Sequence, residues 1–159
     1  MARRKQYWLT KSEPDDYSID DLERDGSIQW TGVRNYQARN FMRDEMKVGD
    51  LVLYYHSNAV PPGVVGIAEV CREATPDPTQ FRRESRYFDP KSTKDEPRWV
   101  QVDLKFLEKF PGIVPLETLK GMPELDGMLV LKRGQRLSVQ PVEPEHFRRI
   151  RTVGRSKKR

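Results

Sequence analysis

Between Ile28 and Met46 the chain carries the residue types that hold flat, negatively backed ligands. Trp30 stands beside a small hydroxyl residue and a glycine, Thr31 and Gly32. Downstream, Tyr36, Arg39, Asn40 and Arg43 fall at i, i+3, i+4 and i+7, on one face of a helix. That face offers one ring, one amide and two guanidinium groups. A helix that only packs and stays soluble more often mixes Glu and Lys there. Rings, amides and guanidinium groups are what grip nucleobases and phosphates. A second stripe, Ala38, Phe41, Met42 and Met46, is apolar and core-facing. An ordinary amphipathic helix after a core Trp therefore remains an equal reading of this stretch.

Two further places could carry chemistry. Leu51 to Ser57, LVLYYHS, reads as a strand apolar on both faces that changes character at His56 and Ser57. A strand ending this way delivers polar groups to a pocket rim, while Asn58 and the Pro61-Pro62-Gly63 run fit a simple turn. The polar segment 75–97 is long enough for a functional loop and places Tyr87, Phe88 and Asp89 at its centre, one of these aromatics serving as an anchor. The parts for catalysis are few. The two histidines, His56 and His146, have no metal-ligand spacing with the acids. Asp15/Asp16 and Asp20/Asp21 suit helix starts. No phosphate-binding glycine loop and no nucleophile elbow occurs. A binding module therefore outranks an enzyme.

The elements that must position these groups are short and not alternately βαβ. Gln6 to Thr10 reads as a strand, closed by Pro14. Ser18 caps a helix that ends at Gly26. Leu51–Ser57 and Val64–Cys71 form an antiparallel hairpin through the Pro-Pro-Gly turn, with Gly66 open to the close approach of a backbone or a ligand. Arg98–Phe106 alternates, Val100, Val102, Leu104 and Phe106 on one face and Trp99 on the other. Pro111–Gly127 suggests two helical turns, starting at Pro115 and Pro123. Arg136–Val142 is a last strand and Glu143–Ile150 a closing helix. Such parts predict an α+β domain with a curved sheet or small open barrel.

The 159 residues argue for one domain, with residues 6–151 between basic ends at 1–5 and 152–159. At 36% hydrophobic and 33% charged, the core is modest and the surface charged, and the net charge of +5 suits an anionic partner. Cys71 is the only cysteine, which excludes an internal disulfide and a cysteine metal cluster and fits a reducing cytoplasm or nucleus. No run approaches the roughly 18 apolar residues of a membrane helix, and no apolar signal core follows the N-terminus.

Five motifs in order extend this reading. They are Tyr7–Pro14 (YWLTKSEP), Trp30–Asn40 (WTGVRNYQARN), Tyr54–Ser57 (YYHS), Gly66–Val70 (GIAEV) and Arg136–Val142 (RLSVQPV). Together they resemble the EVE domain family of the PUA-like superfamily, from about Tyr7 to Ile150. The name-giving triad is incomplete, since Glu69-Val70 is followed by Cys71. The resemblance implies a curved, barrel-like mixed sheet flanked by short helices, with a pocket for a modified nucleobase. It implies no cofactor and no metal, and a monomer off the membrane whose partner is DNA or RNA. The related YTH domains grip a methylated base in an aromatic cage. By that resemblance Trp30 is a cage wall and Lys11 and Ser12 are the strand-end pair at the mouth. Thr31, Val33, Asn35, Tyr36 and Asn40 are pocket or rim positions, and His56 and Ser57 form the opposite rim. Tyr87, Phe88 and Asp89 are the covering loop. Lys11, Arg34, Arg39 and Arg43 can hold flanking phosphates.

Three functions are then open. One is a non-catalytic reader of a modified base in the cytoplasm, or in the nucleus of a eukaryote. Another is a general RNA-binding module working through Lys and Arg. The last is a small enzyme on a modified base or nucleotide, with His56 as acid or base and Asp89 as its partner.

Overall fold

A computed structural model describes residues 4–134 and 136–157; residues 1–3 and 158–159 of the expected basic ends lie outside that range. Six strands build one mixed sheet: β1 (Tyr7–Ser12), β2 (Ser27–Trp30), β3 (Leu51–His56), β4 (Gly63–Pro76), β5 (Val100–Pro115) and β6 (Val139–Val142), in the order β2-β5-β4-β3-β1-β6. The sheet does not close into a barrel. Among the described residues only β1 and β3 run parallel; every other pairing is antiparallel. Around the sheet lie α1 (Pro14–Tyr17), α2 (Ile19–Asp25), α3 (Tyr36–Asn40), α4 (Leu116–Lys120) and α5 (Pro144–Arg155).

Alternation along the strands splits the core in two. Trp8, Val52, Tyr54, Ala68, Val70, Val102 and Leu104 face one side, over which Leu22, Trp30 and Met42 pack. Leu9, Leu53, Tyr55, Ile67 and Phe110 face the other, against Leu119, Phe147 and Ile150. As its sequence implies, β3 lies inside the sheet and is buried on both faces.

The expected local signals operate. Ser18 and Asp21 form a reciprocal cap, the Ser18 hydroxyl accepting from Asp21 N at 3.1 Å and the Asp21 carboxylate from Ser18 N at 2.9 Å. Gly26 ends α2 at φ 82°. Ala38, Met42 and Met46 are buried, but the helix widens after Asn40 into one π-turn, Phe41–Glu45, closed by Met46 N donating to the Phe41 carbonyl. A Cβ on Gly66 would lie 2.4 Å from the Glu108 carbonyl oxygen, so its close neighbour is the β5 backbone.

Several elements differ from expectation, among them the helical turn α1 and the extension of β4 from Cys71 to Pro76. The edge strand β2 was not foreseen. β5 runs on to Pro115 instead of ending at Phe106, and the expected helical turns follow it at Leu116–Lys120 and Pro123–Leu125. Its pairing with β4 is irregular between Lys109 and Val114, so Pro111 sits where no regular ladder bond is asked of it. α5 continues to Arg155, whose guanidinium grips the Glu108 carboxylate at 2.7 Å. No helix among the described residues is long and apolar enough to cross a membrane.

Candidate functional site

The parallel pairing of β1 and β3 brings their C-terminal ends together. β6 lies antiparallel to β1, so its entry reaches the same end. Lys11 N donates to the Ser138 carbonyl and Ser57 N to the Ser12 carbonyl, at 2.9 and 3.0 Å. Beside this corner opens a cavity of about 480 Å³. Lys11, Ser12, Ser57, Arg136 and Ser138 line it from the strand ends. Trp30, Thr31, Gly32 and Val33 line it from the exit of β2. Glu13, Asp16 and Tyr17 come from α1 and its entry, and Arg86 and Tyr87 from the long loop.

Each wall is held from behind. Trp30 is 8% exposed and meets Tyr54 edge-on, ring centroids 5.7 Å apart. The Tyr17 carbonyl accepts from the hydroxyls of Ser12 and Tyr54, at 2.9 and 2.7 Å, which fixes α1 over the strand ends. The Tyr17 hydroxyl donates to the Asp25 carboxylate at 2.7 Å; burial and that carboxylate raise its pKa, so it stays a neutral phenol. Burial also lowers the pKa of Lys11. Tyr87 packs directly on Gly32, where a Cβ would stand 2.7 Å from the ring, and Gly32 has φ +85°.

Asp77 ties the long loop to this wall. It is fully buried and accepts from Gly32 N at 2.8 Å, Arg34 Nη1 at 3.1 Å and Thr79 N at 2.8 Å. Arg34 also donates to the Tyr87 carbonyl from Nε and Nη2, at 3.0 and 2.8 Å. Gln80, also fully buried, bonds the backbone of Asp77 and Trp99 and the Ser92 hydroxyl. The polar segment is thus a loop folded around two buried polar side chains.

Of the residues singled out in the sequence, Lys11, Ser12, Trp30, Thr31, Val33, Ser57 and Tyr87 meet at the cavity. The others lie elsewhere. Asn35 caps α3, accepting from Ala38 N at 3.0 Å. Asn40 accepts from the Arg39 guanidinium. Tyr36 stacks outside on Trp99. His56 Nε2 accepts from Ile19 N at 3.1 Å, and burial lowers its pKa. Phe88 is half-buried, and Asp89 accepts from Trp99 Nε1 at 2.8 Å. Arg34 is spent on Asp77 and Tyr87, Arg39 also donates to the Arg98 carbonyl at 2.9 Å, and Arg43 pairs with Asp44. Sequence reasoning missed Gly32, Ser138, Tyr17, Arg86 and Arg136, with Glu13, Asp16, Ile28 and Gln29, as lining residues. The usable signal was topological, since residues just beyond parallel neighbours end at one place.

The cavity is lined by the aromatic residues Trp30, Tyr17 and Tyr87, four serine and threonine residues, three cationic residues and two acidic residues. Such a surface can seat a flat, hydrogen-bonding group joined to an anionic chain. Among the described residues no three His, Cys, Asp or Glu side chains gather as a metal would require.

The chain is similar to known proteins over nearly its whole length. The family model described as EVE domain matches residues 6–153. Thymocyte nuclear protein 1 of Mus musculus is 43% identical over 89% of this chain and 70% of its own length. A hypothetical protein from Leishmania major has a structure with TM-score 0.91 and 46% identity, covering 97% of each chain. The human THYN1 protein, solved in complex with 5-methylcytosine containing DNA, has TM-score 0.87 and 37% identity, covering 98% of this chain and 100% of that one. The Mmi1 YTH domain, solved with RNA, shares the fold at TM-score 0.55 and 10% identity, over 95% and 78%.

Proposed function

The chain belongs to the EVE domain family, and we propose that it is a non-catalytic nucleic-acid-binding module that takes one modified base into the cavity beside Trp30. The observation that carries this reading is the cavity itself: a buried indole held edge-on by Tyr54, with hydroxyls at the strand ends and cations at the mouth. An aromatic wall is worth about 1–3 kcal/mol per stacked base. The Ser12, Ser57 and Thr31 hydroxyls suit the polar edge of a base. A methyl group fits the apolar share of the wall and adds up to about 0.8 kcal/mol when buried. The human relative crystallised with DNA containing 5-methylcytosine supports the same ligand class. The vertebrate relatives are named as nuclear proteins, a compartment where such a partner is at hand.

His56, the strongest candidate for an acid or base, lies behind α2 with Nε2 already accepting a backbone N–H, which favours binding over turnover. The test titrates wild type and Trp30→Ala against matched oligonucleotides carrying cytosine, 5-methylcytosine, 5-hydroxymethylcytosine, adenine or N6-methyladenine. A preference for one modified base that drops about 5- to 150-fold with Trp30→Ala is expected. Equal affinity for all five, untouched by Trp30→Ala, would leave only a general RNA-binding module.

A further inference from the structure

Tyr36 stands outside the cavity, yet it is the kind of side chain a strand would use. The residue is 51% exposed at the first turn of α3. It stacks on Trp99, centroids 4.8 Å apart and planes 26° apart. Trp99 is buried and pinned by its Nε1 donating to Asp89 at 2.8 Å. The Arg39 guanidinium lies 4.7 Å from the Tyr36 ring and 5.9 Å from the Trp99 ring, held by the Arg98 carbonyl and the Asn40 side chain. Being close to both rings, Arg39 is not on the far side of Tyr36 from Trp99. With the residue half exposed and Trp99 and Arg39 accounted for, part of the tyrosine is open to solvent.

The stack beneath it leads back to the cavity. The Arg34 guanidinium sits 5.3 Å from the Trp99 ring and 5.5 Å from the Tyr87 ring, and Tyr87 rests on Gly32 in the cavity wall. Tyr36 is thus the open end of a bonded ladder of rings and guanidinium groups that starts at the pocket. An aromatic fixed in this way loses little freedom when a second ring settles on it. The Arg39 guanidinium beside it, bonded to a carbonyl and an amide and not to a carboxylate in these contacts, adds positive charge next to the ring.

We propose that Tyr36 is a second stacking site, which takes an unpaired nucleobase neighbouring, on the same strand, the base held beside Trp30. The proposal rests on the cavity reading above and adds that the partner is single-stranded at this point. Stacking accepts any base, so the site raises affinity and leaves base choice to the cavity.

The test uses the full chain, its Tyr36→Ala and Tyr36→Phe variants, and Trp30→Ala. The probes are a single-stranded DNA nonamer with one central 5-methylcytosine, the same nonamer with abasic sites on both sides of that base, and the nonamer as a duplex. Tyr36→Ala is expected to weaken the intact single strand about 5- to 150-fold, with Tyr36→Phe close to wild type. Wild type should lose as much on the flanking-abasic strand, where Tyr36→Ala loses nothing more, and the duplex should not respond to Tyr36. An intact strand bound equally by wild type and Tyr36→Ala, or abasic flanks that weaken Tyr36→Ala as much as they weaken wild type, overturns the stacking site. If Trp30→Ala still removes the base preference in that case, the cavity reading survives alone. If wild type binds none of the three probes, both fall.

Discussion

At the scale of single residues, the group that most shapes the site is not a ligand-facing one. Asp77 is an acidic side chain at full burial and is tolerated because four donors surround it: Gly32 N, Arg34, Thr79 N and the Thr79 hydroxyl at 2.6 Å. It holds Gly32 in the left-handed conformation on which Tyr87 rests, and it holds Arg34 under the Tyr87 carbonyl. Asp77→Ala would leave Arg34, only 21% exposed, beside its orphaned partners. We expect a loss of about 3–5 kcal/mol in urea unfolding, together with loss of modified-base preference. Asp77→Asn keeps one acceptor and should cost less. An Asp77→Ala protein within about 1 kcal/mol of wild type would show that the loop does not depend on this carboxylate. The role of Asp77 in the site wall does not show in the chain, because the partners that tie it there, Arg34 and Gly32, are 43 and 45 positions away.

At the scale of elements, the strands whose hydrophobic pattern is local were legible. Tyr7–Leu9, Leu51–Tyr55 and Val64–Val70 carry their burial in their own sequence. β2 was not legible, because it is four residues long and exists only through its pairing with β5. The far half of β5 was hidden by Pro111, which signals a break to a reader of local sequence but falls in a gap in the pairing. The candidate site followed the same division. Ser57 is found from the end of its strand and Lys11 and Ser12 through the family resemblance, whereas Tyr17 and Arg86 arrive through tertiary contacts. One of these contacts makes a pH prediction. His56 at the end of β3 accepts from Ile19 N at the start of α2, so its Nε2 must be unprotonated. Burial lowers its pKa below 6.5, with Asp20 and Asp21 of α2 opposing and Lys109 of β5 assisting. The unfolded chain takes up this proton near pH 6.5 while the folded chain resists it. Stability is therefore unaffected above that pH and falls as pH drops below it. His56→Gln, which keeps an acceptor, should flatten the fall of the urea midpoint between pH 7 and pH 5. Parallel curves for wild type and variant across that range would exclude His56 as its source.

At the scale of the whole molecule, a net charge of +5 predicts salt-sensitive binding to a polyanion but does not say where the phosphates lie. The ion pairs narrow the choice. Arg34 and Arg39 are bonded within the protein, Arg155 is bonded to Glu108 on the sheet face away from Trp30, and Arg24 is bonded to Asp21 and Asp25. At the cavity mouth stand Lys11, Arg86 and Arg136. Arg86 touches Asp16 at 3.5 Å, a pair with both partners at least half exposed and so easily exchanged for a phosphate. Arg136 is exposed beside Ser138. Single-strand binding loses about 0.7 of its logarithmic salt slope for each phosphate contact removed. Arg86→Ala and Arg136→Ala should each flatten the slope by about that amount and the double variant by about twice it, whereas Arg24→Ala should leave it unchanged. The base preference should persist in all three, because phosphate contacts fix position and carry no base identity. A slope that moves with Arg24 and not with Arg86 or Arg136 would place the strand on another surface and remove these two residues from the site.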